Sequence, residues 1–447
     1  SESLLEITTE FVLPHVRDLD MSFVDYHIGN IGYMTPLKLK HLLNRCSMKL
    51  EKLSLSGDII DIGEDVEDGT NVQECEAQES SFELKELNLV CYKEIPKLSD
   101  FWSWLWSRCG RLERLNVSET GGIVDRLANG MLAHMPNLYK IHLGNTTTCT
   151  WRHSRLLEDE EIATLLSSCR NGWKVVDIGH NYTFQGASIS ALEQHYPTLE
   201  ALVVREGDFM SKDLLFLLSS APNLKTLVAI DDGFYDEPLY TSIDAAMFID
   251  LEPGTNSLRP WACEHTLKEL KIKITDIPRP DLGDRRGVVE EEYAGQGKDI
   301  QSRVYERLAR FTKLEKLWLG SSPVIGPLSY KRESGREQRD CLEMSLESGL
   351  HILAGLKEMR ELSAANTNSK IGLKEVQWMA ENWPKLSIIR RLKGAERKEK
   401  RKPGSGSEDS DESDESEYDE DEDEEACKEY LEILKWSKKE APSIAVV

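Results

Sequence analysis

Nine residues written "PNLKTLVAI" at 222–230 return along the chain in other spellings: "PNLYKIHLG" from 136, "PTLEALVVR" from 197, "GRLERLNVS" from 110 and "HTLKELKIK" from 265. Aligned, they reduce to L-x-x-L-x-L. Its apolar triplets fall at Leu50/Leu53/Leu55, Leu84/Leu87/Leu89, Leu112/Leu115/Val117, Leu138/Ile141/Leu143 and Trp173/Val176/Ile178. They continue at Leu199/Leu202/Val204, Leu224/Leu227/Ala229, Leu267/Leu270/Ile272 and Leu314/Leu317/Leu319, with weaker copies at Val16/Leu19/Met21, Met359/Leu362/Ala364 and Leu386/Ile389. The last two apolar positions alternate around one other residue, the period of a strand with one buried face. Between the triplets lie helical patterns such as "MSKDLLFLLSSAPN" and "LEDEEIATLLSSCRNG", which open on Ser/Asp or acids and close at Pro-Asn or Arg-Asn-Gly. One strand–helix unit cannot bury both its strand face and its helix face, whereas stacked neighbours can. The chain therefore reads as an α/β solenoid over residues 1–392: a curved parallel sheet with outer helices, in about a dozen irregular repeats.

These residues resemble the leucine-rich repeat in its longer, helix-bearing form. That family's usual Asn, three residues beyond the last core position, is here matched by Asn181 alone. Several repeats lie 25–28 residues apart, but the intervals 224 to 267, 267 to 314 and 314 to 359 are much longer. The excess marks insertions near 231–262, 275–299 and 321–345, rich in Gly, Pro, Asp and Ser, with a smaller one near 56–81. All four follow a strand, so they leave the same edge. They read either as drift in tolerant surface loops or as a built binding rim.

No motif for chemistry is present. There is neither a Gly-x-x-x-x-Gly-Lys loop nor a Gly-x-Gly-x-x-Gly, and no His-x-x-x-His pair or His/Cys cluster suited to zinc. The reading is a non-enzyme without cofactor or metal. The informative positions are those between the core residues of each strand: Lys140/His142, Val175/Asp177, Ala201/Val203, Thr226/Val228/Ile230, Glu269/Lys271 and Lys316/Trp318. Val203, Val228 and Ile230 are expected as an apolar floor, with His142, Asp177, Lys271 and Trp318 around it, a candidate partner-binding face. The competing account is that β-branched residues simply suit strands. In "DFWSWLWSRCG" the residues Trp102, Leu105, Trp106 and Cys109 share a helical face and read as core, while Trp104 points elsewhere.

Nine scattered cysteines without a Cys-x-x-Cys pair suit a reducing, intracellular setting, cytoplasmic or nuclear. Asn-x-Ser/Thr at Asn116, Asn145 and Asn181 falls in or just after strands and reads as chance. No stretch approaches the apolar length of a membrane helix. The net charge is −24, and 14 acidic residues in 405–425 leave −10 for the rest, so a nucleic-acid footprint is missing. The run "RRLKGAERKEKRK" at 390–402 resembles a bipartite nuclear signal. Residues 393–426 read as a disordered basic-then-acidic linker, with candidate phosphorylation sites at Ser407, Ser410, Ser413 and Ser416. Residues 427–447 read as a short amphipathic helix and tail.

Irregular repeats, long helices and the "LPHVRDLDMS" entry are similar to the repeat region of fungal F-box proteins, substrate receptors of cullin-based ubiquitin ligases. The resemblance implies a protein client and, through an F-box preceding the repeats, the ligase's small adaptor. With the first repeat under way by Val16, this chain is expected to lack that F-box. The alternative is a nuclear acidic-tailed repeat protein, resembling histone chaperones or activators of the nuclear transport GTPase.

Overall fold

The computed structural model describes residues 16–23, 36–45, 49–57, 82–90, 99–118, 124–143, 157–180, 183–206, 209–230, 242–277, 291–319, 342–364, 368–390 and 420–446. They divide into two compact units, one running to Ala229 and the other holding Ile230 and everything from Ser242 onward. Both are α/β, with parallel strands separated by helices.

In the first unit the strands are β1 (Asp18–Phe23), β2 (Lys52–Gly57), β3 (Glu86–Val90), β4 (Arg114–Ser118), β5 (Lys140–His142), β6 (Val175–His180), β7 (Ala201–Glu206) and β8 (Thr226–Ala229). Each pairs in parallel with the next. The helices between them are α1 (Pro36–Arg45), α2 (Ser99–Trp106), α3 (Val124–His134), α4 (Asp159–Ser167), α5 (Gly186–Glu193) and α6 (Ser211–Ser220). Every core position of the motif from Leu50 to Ala229 is buried, while Val16, Leu19 and Met21 on the edge strand are half-buried. Parallel strands need their turns tied down, and the repeats supply the ties. At the helix-to-strand turn Asn137, Asn171 and Asn223 each donate a side-chain amide to a carbonyl of the preceding repeat, at Gly110 (3.1 Å), Pro136 (2.6 Å) and Pro197 (2.7 Å). Asparagines therefore tie three of the turns that lead into the strands. Helix starts are closed by carboxylates: Glu161 accepts from Glu158 N–H, Asp213 from Met210 N–H, and Asp159 on α4 from the Gln185, Ala187 and Ser188 N–H groups that begin α5. Trp102, Leu105, Trp106 and Cys109 are all buried as their spacing requires. Trp104 is half-buried instead, flanked by Phe82 and Phe101 with the Arg108 guanidinium 4.7 Å from its ring.

The second unit carries β9 (Ser242–Asp244), β10 (Glu269–Thr275), β11 (Lys316–Leu319), β12 (Glu343–Met344), β13 (Glu361–Ser363), β14 (Asn368–Ser369), β15 (Ile388–Arg390) and β16 (Ala445–Val446). Strands β10, β11, β13, β15 and β16 pair in that order, all parallel; β9 lies along the far end of β10, and β12 pairs with β14 apart. The motif residues from Leu267 to Ile389 are buried here too. The segment expected as an insertion loop near 231–262 holds β9 and a short helix, α7 (Ala245–Ile249), capped by Asp244 accepting from Met247 N–H at 2.8 Å. That near 275–299 enters α8 (Glu291–Ala309), and after it come α9 (Leu373–Asn382) and α10 (Glu420–Glu440). The linker expected to be disordered through 426 therefore meets a helix from Glu420 onward, where acids favour a helix amino terminus. The insertion near 56–81, most of the basic run and Ser407, Ser410, Ser413 and Ser416 lie outside the described residues.

Candidate functional site

Because successive strand side chains alternate sides, the residues between buried leucines form rows across each sheet. In the first unit one row runs Ser54, Asn88, Asn116, His142, Asp177, Val203, Val228, each in register with the next. Its early members are polar: Asn88 donates to Ser54 Oγ at 3.0 Å, while Asn116 Oδ1 is buried without a hydrogen-bond partner among the described residues. Beside them Glu86 bridges Lys52 (3.0 Å) and Arg114 (3.4 Å). Burial pushes the Glu86 carboxyl up, but the hydrogen bonds and charges of its neighbours outweigh that and hold it below the ordinary carboxylate range.

The row then changes character. His142 Nδ1 lies 2.9 Å from Asp177 Oδ2, and Asp177 also accepts the Gly179 N–H at 3.0 Å. Gly179 has φ +59° at a bulge that shifts the β6–β7 register, a conformation that favours glycine. Burial pushes the Asp177 carboxyl up; His142, the nearby Arg205 charge and the Gly179 N–H together bring it below its usual value. Next to this anchored carboxylate stand Val203 and Val228, paired across β7 and β8 and both half-exposed. Ile230 is a correction to the expected floor. It lies just past β8 and is 2 % exposed, so it belongs to the core and presents nothing to a partner. Ala229 and Ile230, both buried, break the alternation that the strand imposes before them.

In the second unit the corresponding row runs Lys271, Trp318, Ser363, Arg390. Lys271 Nζ stands 4.0 Å from the Trp318 ring centre and Arg390 Cζ 5.5 Å from it, across the small, buried Ser363. The cations are held by carboxylates: Lys271 by Glu269 at 2.9 Å and Arg390 by Glu361 at 2.5 Å. The indole is thus fixed between two cations, each already paired. Sequence reasoning placed Lys271 and Trp318 on this face and missed Arg390, which it assigned to the basic run. The usable signal was register, since Arg390 follows core residue Ile389 as Trp318 follows Leu317.

Among the described residues no group of His, Cys, Asp and Glu is arranged to hold a metal ion. No helix among them is long and apolar enough to cross a membrane. What both faces offer is a set of fixed side chains, polar at the border and apolar or aromatic within.

No protein-family model matches the chain, and no curated protein does. Solved structures similar to it include an internalin (inlF) from Listeria monocytogenes, at 14% identity and TM-score 0.36 over 78% of this chain and 69% of that one. The yeast Rad7 and Elc1 complex matches at 14% identity and TM-score 0.35, covering 69% and 76%. The leucine-rich repeat-containing protein LegL7 from Legionella pneumophila matches at 13% identity and TM-score 0.34, over 86% of each chain.

Proposed function

We propose that this chain is a recognition scaffold that captures a protein client on the sheet face, and that it catalyses no reaction itself. The observation that carries the reading is the pair Val203 and Val228. They stand half-exposed and side by side in a row whose preceding members are polar, bordered by the anchored His142–Asp177 pair. Water favours polar side chains at such positions, so apolar ones with a rigid polar rim suit a contact surface. In its finer form the reading is client recognition for a cullin-based ubiquitin ligase, which rests on the resemblance of the repeats to F-box-type receptors.

The experiment is a lysate pull-down comparing the parent chain with the Val203→Ser/Val228→Ser variant, scored both for recovered clients and for the ligase adaptor. Each valine acting as an interface anchor contributes roughly 1–2 kcal/mol, so the double variant should lose most of its client. Undiminished recovery would remove the face from consideration. Clients recovered without adaptor from the full-length natural protein would keep the scaffold and discard the ligase.

A further inference from the structure

The last helix and strand are attached differently from the others. Helix α3 buries Val124, Leu127, Ala128, Gly130 and Met131, whereas the whole stretch 428–446 buries Ile433, Ser437 and Ile444 and leaves Leu431 51 % exposed. Strand β16 meets β15 through two residues, with Ala445 N–H donating to Ser387 C=O at 2.7 Å. Ser437 Oγ donates to Ile444 C=O at 2.8 Å, so the turn between helix and strand is closed within the segment itself. Beside α9 an open pocket of about 460 Å³ is lined by Ser345, Lys370, Leu373 and Glu375 among others, and the segment reaches it through Glu429. Such a polar pocket is a place for water, not close packing. One contact is tight. The Glu429 carboxylate sits against Gly372, the residue before α9, and a Cβ there would overlap its Oε1 atom. Glycine at 372 leaves room for that carboxylate. Residues 391–419, which join the segment to β15, carry almost no apolar side chain.

We propose that residues 420–446 form a releasable strap over β15, and that the strand edge and α9 flank beneath it are a docking site for a segment of this chemistry: an acidic amphipathic helix followed by a short strand. Few buried side chains, a two-residue ladder and a hydrated pocket place the strap at the low-stability end of the unit. A free parallel edge at β15 presents unpaired backbone groups, which an added strand satisfies. The inference stands independently of the client-binding face.

The test uses the full chain with a protease site inserted within 391–419, cut after folding so that body and strap remain together without a covalent link. The strap should co-elute with the body at tens of micromolar and separate on roughly hundredfold dilution, because cutting removes the effective concentration the linker supplied. Amide protection at Leu317 and Leu362 should persist after separation. A synthetic peptide of residues 420–446 should compete the strap off. Gly372→Ala displaces only the flexible end of exposed Glu429 and should leave retention nearly unchanged, whereas Ile433→Asp, at a buried residue of the strap, should abolish it. A strap that stays bound at nanomolar concentration, a body that loses protection when it leaves, or an absence of peptide competition would each overturn the proposal.

Discussion

The two units solve one problem, the satisfaction of backbone groups at the turns of a parallel sheet, in different ways. In the first unit the repeats recur every 25–35 residues and the ties are neutral or singly charged side chains near the surface: Asn137, Asn171, Asn223 and Asp159, each reaching one repeat back or forward. In the second unit the inserted segment around α7 is held by a fully buried charge. Arg307 on α8 is 0 % exposed and donates to Ile249 C=O (2.6 Å), Asp250 C=O (3.2 Å) and Arg259 C=O (2.7 Å), with Glu264 at 2.8 Å and the Trp261 ring 4.2 Å away. Short repeats allow many small, local ties. The insertion pairs with β10 only through the three residues of β9, and beyond α7 one long, branched donor gathers its remaining carbonyls.

Breaking the common element should produce the largest effect. Leu227 is fully buried on β8, in register with Leu202 of β7, and Leu227→Asp places an uncompensated carboxylate there. The expected loss is at least about 4 kcal/mol, enough to unfold several repeats. Unchanged circular dichroism and melting midpoint would contradict stacking as the source of stability.

Next in size is the buried charge. Burial pulls the Arg307 guanidinium down to about 10, while Glu264 acts in the opposite direction, so it remains charged at neutral pH. Arg307→Ala should cost about 3–5 kcal/mol, by removing the shorter of Glu264's two ion pairs, with Arg310 left at 3.4 Å, and by taking the donor away from the gathered carbonyls. A double variant, Arg307→Met with Glu264→Leu, separates the two causes. If the ion pair dominates, stability returns; if the carbonyls dominate, as the number of bonds to them argues, the double variant stays nearly as unstable. Chemical denaturation of the three proteins decides it.

These two residues also show what was legible in the sequence. Leu227 was readable because core positions repeat at a fixed period, and the parallel α/β architecture followed from that period. Arg307 was not: it lies on a helix among polar residues, and its partners stand 43 to 58 positions away. The segment 231–262 read as loop because Gly, Pro, Asp and Ser recur through it, although Asp244 before "AAMFI" is a helix-start signal. At the candidate face, alternation placed Asp177, Val203, Val228 and Trp318 on one side of their strands. The same rule failed for Ile230 because the strand ends at Ala229. Contacts such as Trp318 with Arg390 depend on strand order and side-chain reach, which no local pattern carries.

A smaller effect separates the first unit's charged tie from its neutral ones. Burial pushes the Asp159 carboxyl up, but the Ser188 hydroxyl and three N–H groups at the start of α5 outweigh it and hold it below its ordinary value. A carboxyl lowered by folding adds stability above its unfolded value and loses it as pH falls through the folded one. Asp159→Asn should therefore cost about 1 kcal/mol at pH 7, with the gap to the parent closing below about pH 4. A gap independent of pH would mean that shape, not charge, caps α5.

The smallest effect belongs to the neutral ties, and it sharpens the comparison most. Asn223 donates to Pro197 C=O at the turn before β8, on the exposed side of the repeat. Water can replace that donor, so Asn223→Ala removes a bond without leaving a buried group stranded, and the expected cost is about 0.5–1 kcal/mol. Asn171→Ala should behave alike, and because each amide serves a different turn the two losses should add. Arg307 should differ in kind, since one side chain serves three carbonyls at once. If the double asparagine variant lost several kcal/mol, the asparagines would form a cooperative network, and the contrast between distributed and concentrated ties would fail. Additive losses of the expected size would establish that these repeats carry their turns individually.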